Sequence, residues 1–236
     1  MRWLPFILML AAAPAQATCR QALALGLDVS GSVDPWEYRL QTGGLARALL
    51  HPDVRAAFLA MPQAPVSIAV YEWSGRSAQR MVLPWTAIDS DATLAAVAGK
   101  LRATRRANMN LGTALGEAKA YGLALLDQQP GCWRHTLDLS GDGKSNNGPL
   151  PEEITPRRGV TVNGLVIGEE ESPIRIGPGL GELVAYYDRF VIAGPDAFVE
   201  SALGFEAFEQ AMTRKLLREL ATMVVSEADT ARPAHQ

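Results

Sequence analysis

Asp28, Ser30 and Ser32 stand at alternate positions behind an apolar run, Ala22 to Leu27. In extended chain every second side chain points the same way. The three residues therefore aim one carboxylate and two hydroxyls at a single point. Oxygen-only ligation of this kind suits a hard cation such as Mg²⁺. Directly afterwards, Asp34-Pro35-Trp36-Glu37 opens a helix. Asp34 can cap it, Pro35 suits the first helical position, and Glu37 stands three residues after the cap. The three oxygens thus lie on a strand-to-helix loop, beside a helix N-terminus.

The rest of the chain supplies elements to hold that loop. The helix opened at Asp34 is expected to run to about Leu50, with Gly43-Gly44 as a weak point or a place of close packing. Val66–Trp73 and Gln79–Trp85 read as strands joined at Ser74-Gly75-Arg76, which makes a hairpin. Helices are expected from Asp89 to Arg102 and from Thr113 to Gln128. His135–Leu139 and Val160–Ile167 read as further strands, and Phe190–Ala193 as an edge strand. A Gly/Pro-bearing loop spans Glu169–Gly181, and Asp196–Val225 reads as a long helical region interrupted near Gly204. Strands alternating with helices predict a single three-layer α/β/α domain, an open and mostly parallel sheet with helices on both faces. Such sheets bind ligands at the carboxyl ends of their strands. Asp28 and Asp142 both fall just past such ends.

The chain has 236 residues, 48% hydrophobic and 20% charged, enough for one large domain. Residues 1–17 read as a signal peptide: Arg2, an apolar stretch from Leu4 to Ala13, then the small-x-small site Ala15-Gln16-Ala17. The mature chain is expected to begin at Thr18, with the domain over 18–229 and a polar tail over 230–236. An uncleaved anchor is the alternative, but the apolar stretch is short for a span of ~20 residues. No later segment reaches that length without charges, so no membrane span is expected in the mature chain. The product is expected in the periplasm or outside the cell. Gln16-Ala17-Thr18 before Cys19 does not resemble a lipobox. Export permits a disulfide between the two cysteines, Cys19 and Cys132. They precede Asp28 and Asp142 by nine and ten residues. On adjacent parallel strands they would therefore be nearly level; two free thiols are the alternative.

Asp28-x-Ser30-x-Ser32 after an apolar strand resembles the metal-ion-dependent adhesion site of von Willebrand factor type A domains. Two further parts of that family's site can be placed. Thr113-Ala114-Leu115-Gly116-Glu117-Ala118 matches its Thr-bearing loop, with Leu115 where a second Thr is usual. Asp142-Gly143 matches the Asp-Gly after its fourth strand, with Gly141 in place of the usual Thr. The resemblance covers roughly residues 20–225. It implies that Asp28, Ser30, Ser32 and Thr113 face a metal and that Asp142 supports it directly or through water. Mg²⁺ is the expected ion, with Mn²⁺ or Ca²⁺ as alternatives. Only two of the five ligands would carry charge, so the ion would stay electrophilic with one position open. The resemblance further implies a protein partner that completes the shell with a carboxylate. Taken singly, Ser32 or Thr113 reads as a helix cap and Asp142-Gly143 as a turn. A domain that keeps the fold without the metal is the other alternative.

Other functions find less support. A formal charge of −3 and the absence of a basic stripe argue against nucleic acid. Arg102, Arg105 and Arg106 form a short cluster, read as a solvated helix end. Gly143-Lys144-Ser145 resembles the end of a P-loop, but position 138 is Asp rather than the required Gly. His51, His135 and His235 have no zinc-ligand spacing. A phosphoester hydrolase with Asp28 as nucleophile would want a second carboxylate at position 30, which is Ser. The expected function is therefore non-catalytic, cation-dependent binding of a protein. The hydrolase, or a purely structural interaction domain, is the alternative. Asp138 is out of place in an apolar parallel strand and needs a partner that the sequence does not name. Glu72-Trp73 are candidate rim residues, or an ordinary strand end.

Overall fold

The computed structural model describes residues 19–170 and 178–230, with side chains in the last helix through Ala221. The expected signal peptide and the end of the tail, 231–236, lie outside the described residues, as does 171–177 within the Glu169–Gly181 loop. Among the described residues six strands form one sheet: β1 (Cys19–Asp28), β2 (Val66–Trp73), β3 (Gln79–Ile88), β4 (Cys132–Gly141), β5 (Val160–Gly168) and β6 (Val199–Leu203). Their order is β3-β2-β1-β4-β5-β6, and only β3 runs antiparallel. Among the same residues six α-helices surround them: α1 (Pro35–Leu50), α2 (Pro52–Leu59), α3 (Asp91–Ala103), α4 (Leu115–Leu126), α5 (Leu180–Tyr186) and α6 (Phe208–Thr230).

The layering follows from the alternation in β1, which is buried from Arg20 onward. Leu23, Leu25 and Leu27 pack on one face with Leu45 and Leu49 of α1, Leu94 of α3 and Met212 of α6. Ala22 and Ala24 pack on the other face with Leu115 and Leu126 of α4 and Leu183 of α5. A strand buried on both sides has no polar face to show. Gly44 explains the weak point in α1: a Cβ there would stand 3.0 Å from Phe208 of α6. The two helices approach closely there, and any larger residue would push Phe208 aside by a few tenths of an ångström.

The expected disulfide is present between Cys19 and Cys132. The two residues are direct register partners at the start of β1 and β4. Two expectations at this edge of the sheet fail. Residues 190–193 are not an edge strand. Tyr187–Val191 form a π-helical turn that buries Tyr187 and Val191, and Ala193 makes only a single bridge to Val162. The edge strand is β6, inside the region expected to be helical. Gly204, at φ +72°, ends that strand instead of interrupting a helix. Five residues of mixed polarity, Val199-Glu200-Ser201-Ala202-Leu203, are too few to show a period that separates the two readings.

The sheet has its switch point between β1 and β4. The chain leaves β1 toward β2 on one side and reaches β4 only later, on the other. The loops after these strands diverge there and leave a crevice at the carboxyl ends.

Candidate metal centre

Three loops meet at that crevice. The first follows β1 and carries Asp28, Ser30 and Ser32. The Ser30 N–H donates to Asp28 Oδ1 at 2.7 Å, and the Ser30 and Ser32 hydroxyls are 3.2 Å apart. The Ser32 hydroxyl donates to Asp142 Oδ1 at 2.7 Å, joining the loop after β1 to the loop after β4. Thr113 opens the way into α4 and lines one cleft with Ser32 and Asp142. A Cβ on Gly143 would stand 3.9 Å from the Thr113 methyl. The structure thus brings all five expected residues to one pole of the sheet, four of them linked by hydrogen bonds.

Each loop is fastened by groups that the sequence left unassigned. Gln41 of α1 donates to the Asp28 carbonyl at 2.9 Å and accepts from Ser140 at 3.1 Å, tying α1 to β1 and β4. Arg106 donates to the carbonyls of Val29 and Ser30 at 2.9 and 3.1 Å. It is therefore a clamp on the first loop rather than part of a solvated helix end. Asn146 holds Thr113 twice. Its side-chain oxygen accepts from the Thr113 N–H, and its own N–H donates to the Thr113 carbonyl, both at 2.9 Å. Asp34 and Glu37 form the reciprocal cap expected of them at the start of α1.

Tyr187 explains one departure from the family pattern. A Cβ on Gly141 would stand 2.5 Å from the Tyr187 hydroxyl and 3.0 Å from Asp28 Oδ2. The tyrosine, from the turn after α5, fills the space a threonine would need. Leu115, the other departure, is wholly buried in the core around α4. Glu72 and Trp73 are not rim residues. Both are fully buried, and Glu72 accepts from Tyr38 and Arg80. Asp138 finds its partner in Lys215 of α6, 3.1 Å away, with Glu219 on the same ammonium at 2.7 Å.

The electrostatics at the pole call for positive charge. Asp28 is fully buried, and its Oδ2 has no hydrogen-bond partner among the described residues. Burial first, and the neighbouring Asp142 carboxylate second, push Asp28 up to about 8. A buried carboxylate in the field of a second carboxylate fits a divalent cation, and the hydroxyls of Ser30, Ser32 and Thr113 complete an oxygen-only donor set. Among the described residues no three His, Cys, Asp or Glu side chains form a metal-holding group. The candidate set counts two carboxylates, with hydroxyls making up the rest.

A family model described as "Protein of unknown function (DUF1194)" matches residues 18–224. The chain belongs to this family. Among curated proteins, none matches this DUF1194 chain. Solved structures share its fold and are distant from it in sequence. Proximal thread matrix protein 1 from the mussel byssus, with a zinc-occupied metal-ion-dependent adhesion site, aligns at a TM-score of 0.58 and 15% identity. That alignment covers 86% of this chain and 46% of the mussel protein. A von Willebrand factor type A protein from Catenulispora acidiphila aligns at 0.53 and 17% identity, over 86% of this chain and 42% of its own. The pilus adhesin SpaC from Lactobacillus rhamnosus GG, in its open conformation, aligns at 0.59 and 14% identity, over 88% and 31%. The DUF1194 chain spans less than half the length of each of these structures. It has the von Willebrand factor A fold.

Proposed function

We propose that this protein is a divalent-cation-dependent, non-catalytic binding module of an exported protein. Asp28, Ser30, Ser32 and Thr113 would hold the ion, with Asp142 supporting it directly or through water. Mg²⁺ is the ion we favour, with Mn²⁺ or Ca²⁺ as substitutes. The bound ion would supply an electrophilic coordination position, open to a carboxylate of a protein partner. The observation that carries this reading is the hydrogen-bonded chain from Asp28 through Ser30 and Ser32 to Asp142, together with the orphaned Asp28 Oδ2. The adhesin and the zinc-bearing matrix protein among the fold's relatives support it. Export is supported by the leader-like composition of residues 1–17 and by the Cys19–Cys132 bridge. Among the described residues no helix is long and apolar enough to cross a membrane.

A hydrolase using Asp28 as nucleophile has less to support it, because that carboxylate has no exposed surface for a substrate to meet. The test is calorimetric titration of the full chain with Mg²⁺, Mn²⁺, Ca²⁺ and Zn²⁺, beside Asp28→Ala. The wild type is expected to bind at least one of them and the variant none. An Asp28→Ala protein that retains wild-type affinity would refute the assignment. Turnover of a generic phosphoester that depends on Asp28 would refute the non-catalytic part.

A further inference from the structure

The first turn of α1 separates two clefts of opposite charge. On one side is the cleft of about 810 Å³ that holds Ser32, Thr113 and Asp142, lined also by Asp34, Glu37, Glu169 and Glu206 and by the ion pair of Glu182 with Lys144. On the other side is a groove of similar size between α1 and the end of α3, lined by Arg39, Arg102, Arg105 and Arg106 with no acidic residue. Among the described residues none of these four guanidiniums forms an ion pair. Arg39 stacks over Trp36, and Arg106 bonds carbonyl oxygens. Elsewhere, Arg47, Arg55, Arg80, Arg157 and Arg214 each pair with a carboxylate. The groove is where this chain gathers cationic charge without supplying the anion.

The wall of the groove is fixed in place. Arg80 donates to the Arg105 carbonyl at 2.8 Å while Glu72, fully buried, accepts from the same guanidinium at 2.7 Å. Glu72 in turn accepts from Tyr38, which lines the groove, at 2.5 Å. Arg106 fastens the groove to the carbonyls of Val29 and Ser30, within the loop that carries Asp28, Ser30 and Ser32. Pre-set charges of one sign, next to a pole that would accept a carboxylate, favour an anionic partner by complementarity.

We propose that the arginine groove is a second contact for the same protein partner and takes a segment of clustered Asp and Glu side chains. This rests on the cation-dependent binding argued above. A protein surface can present acid to the groove and base to the acidic cleft across α1. A nucleic acid cannot, because its uniformly charged backbone would meet Glu37, Glu169 and Glu206 on the far side. The groove therefore fixes which way round the partner lies once its carboxylate reaches the ion.

The probes are two fluorescein-labelled peptides, Asp-Gly-Ser-Gly followed by four Glu or by four Gln. Anisotropy is read with the full chain at low salt, in Mg²⁺ and in chelator. Wild type is expected to prefer the Glu peptide by about fivefold or more in both buffers, a size set by a few exposed ion pairs. The exposed pair Arg102→Glu with Arg105→Glu is expected to erase that preference while binding Mg²⁺ as wild type does. Equal binding of the two peptides by wild type overturns the proposal, as does an undiminished preference in the double variant. Tighter binding of an oligothymidylate than of the Glu peptide overturns it in favour of nucleic acid. Peptide affinity that is equal in Mg²⁺ and chelator removes the cation reading alone, and a Glu-over-Gln preference that persists there supports the groove by itself.

Discussion

The Ser32 hydroxyl donates to Asp142 Oδ1 at 2.7 Å, although 110 residues of chain separate them. Two loops that leave the sheet in opposite directions are joined at their tips by this bond. Opening either loop breaks this bond, so the placing of Ser32 and that of Asp142 depend on each other.

Asp142→Ala should lower divalent-cation affinity by about 10- to 100-fold, the range for losing a group that orients metal ligands. The fold should persist, because the residue lies at the cleft rather than in either core cluster. Calorimetry with Mg²⁺ measures the first effect and thermal unfolding in chelator the second.

Asn146→Ala should weaken cation binding through Thr113, which it holds from both sides. The lost side-chain bond leaves the Thr113 N–H without its acceptor, a cost of about 1–3 kcal/mol when buried. Urea unfolding in chelator would read that loss. Titration with Mg²⁺ should show about a tenfold weaker site.

Lys215→Met should destabilise the fold by about 3–5 kcal/mol, because it strands Asp138 and Glu219 in the interior. The pH dependence has a definite sign. Burial above all pushes Asp138 up to about 7, against the pull of Lys215, from an ordinary value of 3.8. Between about 4 and 7 the folded chain thus binds more protons at this site than the unfolded chain. Its contribution to stability falls as pH rises through that window. Asp138→Asn removes the slope, so the variant should gain on wild type from pH 4 to 7 and keep a constant difference above it. Unfolding midpoints across that range check the trend; a stability of the variant relative to wild type that falls as pH rises would contradict it.

Replacing both cysteines, Cys19→Ser with Cys132→Ser, should cost about 4–5 kcal/mol on the chain-entropy estimate for a loop of this length. Cation affinity should not change, since the bridge lies at the start of β1 and β4 and the site at their ends. Denaturant midpoints and Mg²⁺ titration of the reduced-form mimic test the two halves separately.

The gathering of the five oxygen-bearing residues was legible because its parts are local. Alternate oxygens after an apolar strand, a capping sequence behind them and an Asp-Gly past a later strand are all short-range signals. The same holds for the hairpin between β2 and β3 and for the level placing of Cys19 and Cys132. What the sequence hid depends on contacts between distant segments. Tyr187 fills the space beside Gly141 from a turn 46 residues further on. Lys215 answers Asp138 from a helix at the other end of the chain. Arg106 reads as one of three clustered arginines until its reach to Val29 and Ser30 is seen. β6 was missed for a different reason. Five residues between glycine-bearing turns at an edge satisfy helix and strand patterns alike, and only pairing with β5 decides.

The polarity of β1 and α6 has one more consequence. β1 starts at the pole marked by the Cys19–Cys132 bridge and runs toward the cleft, while α6 begins beyond the end of β6 and runs back past Asn163. Entry and exit of the described chain are therefore both remote from the oxygen cluster. The bridge and the cleft thus occupy opposite poles of the sheet, and a change at the bridge reaches the oxygen cluster only along the length of β1 and β4.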